Sequence, residues 1–594
     1  NLIFSCLKIL EYLNLNNNKI DYIENDAFRN LINLKQLELS FNKIKYINQY
    51  YFKNLINLEK LELSYNKISK LDGSALICLN SLKYLNLEEN CLFKIEKYLF
   101  DSNVNLTLIN LAKNVLKTIK YEYFANLVNL QLLNLSKNEI NKIENKSFSN
   151  LINLKELNLN VNNLFIIDSK LFQNLLKLNS LYLNFNFIEL MDTECFVNNT
   201  NLEFLSLYHN KIKHLNKYIF KQLNKLSFIN LENNHLNIID GHFNNLKELR
   251  NVYLSNNPLT NLESMENNCL LLHLSNSSIV FTKFFLLNNL TNLADLDLSY
   301  NRMNASILRN LNITNLKNLK RLVLTRVGLE LNDSIKFLDD LKLLEELDLS
   351  ENDFRKDDGK FMFNSKMLRI LKLRNCNFES IERNFLDFSN FLQLVHLDMS
   401  FNKLVQFYIN TKFPVRIMEN LLLSHNNISI FNISKRLRIS KVDLSFNSLN
   451  KFDNEFLELR VFSNVIINNN YITKINNIIG SIWLANNNYI EEISCLKNDL
   501  QNSLEIMNFN NNKIKRLRSN CFEFKFNGVK KYFLSNNKIN EIELYAFHQF
   551  FYLNELDLSS NNLSHIDSYV FSDLKSLTFL NLSYNSLYLV EKDL

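Results

Sequence analysis

The 594-residue chain is poor in the residues that punctuate ordinary domains, with six glycines, two prolines and one tryptophan. So few breakers exclude a Gly-rich phosphate loop and leave no Gly/Pro-rich linker. No apolar run reaches the roughly 18 residues of a membrane-spanning helix. Neither an initiator Met nor a charged-then-apolar leader is visible. A dominant charge is missing too: Lys+Arg 67 against Asp+Glu 61 gives a net +6, which lacks the concentrated basic stripe that nucleic acid requires. The eight cysteines form no CxC or CxxC, which excludes zinc and redox motifs. The nine histidines are scattered singly, and HExxH, GxSxG and Walker patterns are absent. A lone His such as His209 or His425 is expected to line an exposed surface or pack locally. The chain is therefore read as non-enzymatic, with no cofactor or metal site.

Asparagine is abundant, at about one residue in six, and part of it is periodic. Asn18, Asn42, Asn66, Asn90, Asn114, Asn138, Asn162, Asn186, Asn210 and Asn234 are spaced by 24 residues without a slip. Around each the same frame returns; in the second copy it reads Leu34, Leu37, Leu39, Asn42, Ile44, Ile47, Phe52, Leu55. Further ladder positions follow at Asn257, Ser277, Asn301, Val327, Asn352, Cys376, Asn402, Asn426, Asn447, Asn470, Asn487, Asn512, Asn537, Asn561 and Asn585. A fixed period in this range marks a solenoid, which is one domain of any length. The expectation is one continuous array over 1–594 of about 25 repeats, with irregular repeats near 257–352 and 470–487. The remaining asparagine reads as codon composition. Phe4, Leu7 and Leu10 match Phe28, Leu31 and Leu34 one period on, and the Phe expected after Asn585 falls just past Leu594. Both ends are thus expected to cut a repeat, with caps, leader and anchor outside.

Each position has a physical role. In Leu37-Glu38-Leu39 the alternation turns both leucines to one face and Glu38 to the other. A single turn cannot bury those leucines; stacked turns can. The Asn, buried at a bend, is expected to satisfy backbone groups of neighbouring turns. Ser277 and Val327 do so less well, and Cys376 in part. Phe28, Phe52, Phe100, Phe124, Phe148, Phe172, Phe196 and Phe220, ten residues after the ladder position, are expected to stack as a column. On this frame Asn138→Ala should cost a few kcal/mol, and Asn17→Ala, exposed beside the ladder, under about 0.5 kcal/mol.

The frame LxxLxLxxNxIxxIxxxxFxxLxx resembles the leucine-rich repeat in its 24-residue form, over essentially the whole chain. That resemblance implies an α/β solenoid: a horseshoe with a parallel sheet on its concave face and a mostly irregular convex side. The long irregular-centred array is similar to chaoptin-like adhesion proteins and Toll-type receptor ectodomains. It implies an extracellular or cell-surface protein that binds a protein ligand or a like molecule on another cell, with any membrane attachment outside this stretch. An intracellular scaffold or regulatory subunit is the alternative.

Basic, acidic and basic strips lie on three consecutive repeats: Arg321 and Arg326; Glu346, Asp348 and Glu351; Lys372 and Arg374. They read either as mutual neutralisation or as a concave protein-binding patch. Asp297, Asp348, Asp398, Asp443 and Asp557 share the x of LxL and form an acidic column. Among the N-x-S/T sequons, Asn145, Asn289 and Asn312 lie off the strands and are glycosylation candidates, whereas Asn134 lies mid-strand. Cys495 and Cys521, at near-equivalent positions of neighbouring repeats, read as a disulfide or as two buried thiols.

Overall fold

A computed structural model describes residues 4, 6–262, 268–278, 287–303, 307–308, 311–329, 333–355, 363, 365–379, 391–409, 417–433, 437–452, 463–475, 480–493, 504–519, 528–548, 550–567 and 569–588. Cys495 and Cys521 lie outside them. The LxL alternation builds the element expected of it. Gln36–Glu38 is a three-residue strand whose Leu37, with Leu39 just beyond, is fully buried, and it pairs parallel with Lys60–Glu62 in the register Leu37↔Leu61. Repetition of that step makes a parallel sheet of one short strand per turn.

The described chain divides into two units, residues 1–301 with 310–316, and residues 302–309 with 317–594. In the first unit the strands run from Tyr12–Asn14 to Asp295–Asp297. Its 24-residue step shortens twice, to 23 residues where Phe228 pairs with Asn251 and to 20 where Asn251 pairs with Leu271. In the second unit they run from Arg321–Val323 to Phe579–Asn581, and two lengthen to six residues, Ile417–Leu422 and Arg438–Asp443. Away from the sheet, two-residue strands pair in places, as Tyr46–Ile47 does with Lys70–Leu71. Among the described residues most helices are short 3-10 turns, such as Tyr121–Phe124, the longest being Asp333–Asp340. Each unit is a parallel-sheet solenoid with almost no helix.

Most of the asparagine ladder repeats one geometry. Asn42 Nδ2 donates to the carbonyls of Leu15 (2.9 Å), Leu39 (3.1 Å) and Ser40 (3.2 Å), and its Oδ1 accepts from the N–H of Ile20 (2.9 Å). One amide thus ties its own bend to the preceding turn. Asn18 departs from the expected burial: it is exposed and donates within its own turn, to Leu15 and Asn16. The register near 487 is corrected by one residue. Asn488 is the buried amide, donating to Ile467 (2.9 Å) and Ala485 (3.1 Å) and accepting from Ile472 N–H (3.1 Å). Asn487 precedes it at φ 57°. Where the ladder residue is Cys376, its thiol donates to Leu349 O at 3.3 Å. At Val327 the next amide compensates, since Asn352 Oδ1 accepts from the N–H groups of Val327, Gly328 and Leu329.

The surplus asparagine is structural as well. On the opposite side of the first unit, Asn33, Asn57, Asn105, Asn129, Asn153 and Asn201 each donate to a carbonyl 25 residues earlier, at 2.7–3.0 Å. Asn54, Asn150, Asn174 and Asn198 do the same in a second row, at 2.7–3.2 Å. Codon composition is therefore not the whole explanation; amides stitch the turns along three lines. The phenylalanine column stacks as expected, with Phe28–Phe52, Phe124–Phe148 and Phe172–Phe196 centroids 6.0–6.4 Å apart.

One feature of every turn had no sequence signature. The residue before each ladder position is left-handed, from Asn17 (φ 56°) through Val161 (φ 55°) to Tyr584 (φ 55°). That conformation costs a non-glycine residue about 1–2 kcal/mol, least for Asn. It overturns the expectation for Asn17: alanine there should cost about 1 kcal/mol rather than a few tenths. Val161, β-branched and exposed, is the least suited occupant. Val161→Asn is expected to raise stability by about 1 kcal/mol in urea melts, while Val128→Asn, exposed at ordinary φ, shifts it by less than about 0.5 kcal/mol.

Candidate protein-binding surfaces

The charged strips of the second unit come together largely as the spacing implies. Arg321 pairs in register with Glu346, and Asp348 with Lys372, on neighbouring parallel strands. The ions then satisfy one another. Lys372 Nζ lies 2.7 Å and Arg321 Nε 3.4 Å from the Glu346 carboxylate, and Arg326 Nη1 lies 3.6 Å from Glu351. Arg326 and Glu351 stand in the left-handed row rather than on the strands. Arg374 lies over the Phe401 ring at 4.1 Å. Such half-exposed pairs contribute about 0.2–1 kcal/mol each and leave little unsatisfied charge for a partner.

The acidic column is likewise occupied. The Oδ1 atoms of Asp297, Asp348, Asp398, Asp443 and Asp557 each accept the backbone N–H of the serine two residues on, at 2.9–3.0 Å. The recurring LDLS spelling is thus a local turn device. Asn134 holds Ser136 N–H in the same way at 3.1 Å. The two histidines pack locally. His209 stacks on Phe185 at 4.7 Å, and His425 lies between Phe401 and Phe446 at 4.2 Å from each. Burial pushes the Cys376 thiol far above its ordinary pKa and that of Cys269 up to about 12, so neither is poised as a nucleophile.

A different surface stands out on the exposed face of the first unit's sheet. Tyr182, Phe204, Phe228, Tyr253 and His273 lie on five successive strands, with ring centroids 4.9, 4.3, 5.3 and 5.0 Å apart. Phe204 and Phe228 are register partners, as are Tyr253 and His273, and diagonal contacts join the rest into a zigzag. The strand residues beside them are Ser180, Ser206, Asn230, Asn251 and Leu271, so those five strands carry no carboxylate, lysine or arginine. Phe185 and Tyr208, in edge contact at 5.1 Å, continue the aromatic area to the ends of the strands. The rings are half-buried against one another and open on the outward side. At its far end His273 Nε2 lies 3.4 Å from Asp295 of the next strand; rigid aromatics set among Ser and Asn, with charge kept to that edge, are the composition of a protein-binding surface. Sequence reasoning passed over it; its signal was Phe or Tyr at an x of LxL where other repeats carry Glu, Lys or Asn.

Comparison with known proteins accords with this architecture. The sequence matches the leucine rich repeat family over residues 2–44, 32–92, 87–140 and 528–587. It matches the BspA type leucine rich repeat region over 117–250, 166–284 and 191–323. A search of curated proteins found no match. Among solved structures, a leucine-rich-repeat protein of Leptospira interrogans is 29% identical, with 58% of this chain and 79% of that one covered and a TM-score of 0.48. An internalin (inlF) of Listeria monocytogenes is 22% identical, with 58% and 82% covered and a TM-score of 0.39. TLR13, in its complex with ssRNA13, is 22% identical, with 99% and 80% covered and a TM-score of 0.51, a likeness of fold. The repeat matches, laid on stacked parallel-strand turns with a buried amide at each bend, identify this chain as a leucine-rich-repeat protein.

Proposed function

We propose that this chain binds a protein ligand without catalysis, outside the cell or on its surface, in adhesion or receptor recognition. Leucine-rich-repeat solenoids generally serve as binding scaffolds, because stacked turns present an extended surface without needing a pocket. The observation that carries the reading is the aromatic strip from Tyr182 to His273. Half-exposed aromatic rings held on a rigid sheet are a usual source of binding energy at protein interfaces. The charged patch around Arg321, Glu346 and Arg374 is the weaker candidate, because Arg321 and Lys372 already pair with Glu346 and Arg374 lies over Phe401. Among the described residues no helix is long and apolar enough to cross a membrane.

Compartment is tested by glycopeptide mass spectrometry on the chain secreted from animal cells. Asn145 and Asn289 are exposed and Asn312 stands half-buried at φ 54°. Occupancy is expected at these three and not at Asn134, whose side chain is held on the sheet. No glycan at any sequon would instead favour an intracellular scaffold or regulatory subunit.

A further inference from the structure

Beside the aromatic strip, on the same turns, the row of left-handed residues borders a cavity of about 610 Å³. Its lining is chemically one-sided. It includes Lys211, His209 and His235, a series of asparagines, and no aspartate or glutamate. Lys211 is exposed, and its ammonium lies 5.0 Å from the Phe187 ring at the cavity wall. Asn256 and Asn276, one turn apart, are joined by a 3.0 Å amide hydrogen bond. Successive side-chain amides therefore offer both donors and acceptors along the wall. The cavity is continuous with the strip through His209, which stacks on Phe185 and meets Tyr208 edge-on at 4.6 Å.

We infer that this cavity receives a carboxylate of the protein segment that lies across the aromatic strip. The inference rests on the binding reading above and adds the partner's chemistry. One ammonium, beside imidazole and amide groups that can donate hydrogen bonds and with no acid in the lining, complements one anionic side chain. Phe204 and His209 are five residues apart, three residues of strand followed by the bend, so the strip and the cavity edge are separated by at most roughly 17 Å. A partner in extended form spans that gap with the acid about four to five residues from its aromatic anchor. The partner segment is thus an aromatic or aliphatic side chain followed, at that spacing, by Asp or Glu.

A phage-displayed library of random peptides about twelve residues long, selected on the full chain, tests this with three proteins in parallel. Phe228→Ser removes a ring from the strip, and Lys211→Glu reverses the cavity's charge at an exposed position where the fold is indifferent. Wild type is expected to enrich peptides with the aromatic-and-acid spacing. Synthetic copies should bind Lys211→Glu at least about tenfold more weakly, and copies with Lys in place of the acid should regain affinity for that variant. Both sets should fail on Phe228→Ser. Peptides that need Phe228 but show no acid, or that bind Lys211→Glu equally well, overturn the inference and leave the strip as a binding surface. Peptides indifferent to Phe228, or no enrichment at all, remove both. Tighter, Lys211-dependent binding of a random single-stranded RNA oligonucleotide that displaces the peptides overturns the inference in favour of a nucleic-acid partner.

Discussion

Asn138→Ala is expected to destabilise the first unit by about 3–5 kcal/mol. The buried amide donates to the carbonyls of Leu111, Leu135 and Ser136 at 3.0, 3.1 and 3.2 Å and accepts from Leu116 N–H at 3.0 Å. Alanine leaves these groups of two turns facing one another where water cannot replace the lost partner, at about 1–3 kcal/mol each. Two Nδ2 hydrogens serve three carbonyls, so the losses do not add in full. Asn129 is the matched control: it donates to Val104 O at 3.0 Å, but on an exposed row. Water substitutes there, and Asn129→Ala should cost less than about 0.5 kcal/mol. Urea melts read the difference, and hydrogen exchange at Leu116 N–H localises it. Equal destabilisation by the two changes would contradict the assignment of the ladder as the bond that matters.

The other large effect is expected from the phenylalanine column. Phe148 is fully buried and stacks on Phe124 at 6.3 Å and 20°. Phe148→Ala should cost about 3–5 kcal/mol, the lost transfer energy together with the cavity left in a stack that closes only partly around it. Phe148→Leu should cost no more than about 1.5 kcal/mol. The protein already makes that exchange, since Leu76 fills the equivalent position and is fully buried. Because each turn touches its neighbours alone, the loss should appear as faster exchange in the adjoining turns, while distant ones stay protected. Global unfolding by Phe148→Ala, or a leucine variant as damaged as the alanine one, would show that packing is not transmitted turn by turn.

These two positions also show where sequence was readable. Leu37, Leu39, Asn138 and Phe148 stand where one chemistry alone fits a buried site, so the period exposes them directly. The left-handed row was invisible because the strain is carried by whatever residue stands there, Phe41, Lys113 or Val161 alike, with no glycine to mark it. The ladder near 487 slipped by one because three asparagines adjoin, Asn486 to Asn488, and composition cannot say which is buried. The charged patch was placed well by register, but its pairing depends on side-chain reach across strands, which spacing does not fix. The aromatic strip lay at positions the fold leaves unconstrained; such positions carry function and for that reason escape a reading built on repetition.

The three amide lines have a consequence for the protein's lifetime. Asparagine is the thermolabile way to make such bonds, for its amide is slowly lost as ammonia. On the exposed row through Asn57 and Asn129 the change would trade a weak tie for a solvated charge. At Asn138 it would set a carboxylate against the carbonyl oxygens of Leu111, Leu135 and Ser136, which the amide now feeds with hydrogens. Because the bend amides are buried and fully hydrogen-bonded, that loss waits on local opening of the turn, and durability on long exposure to warmth depends on how rarely the bends open to water as well as on the global unfolding barrier.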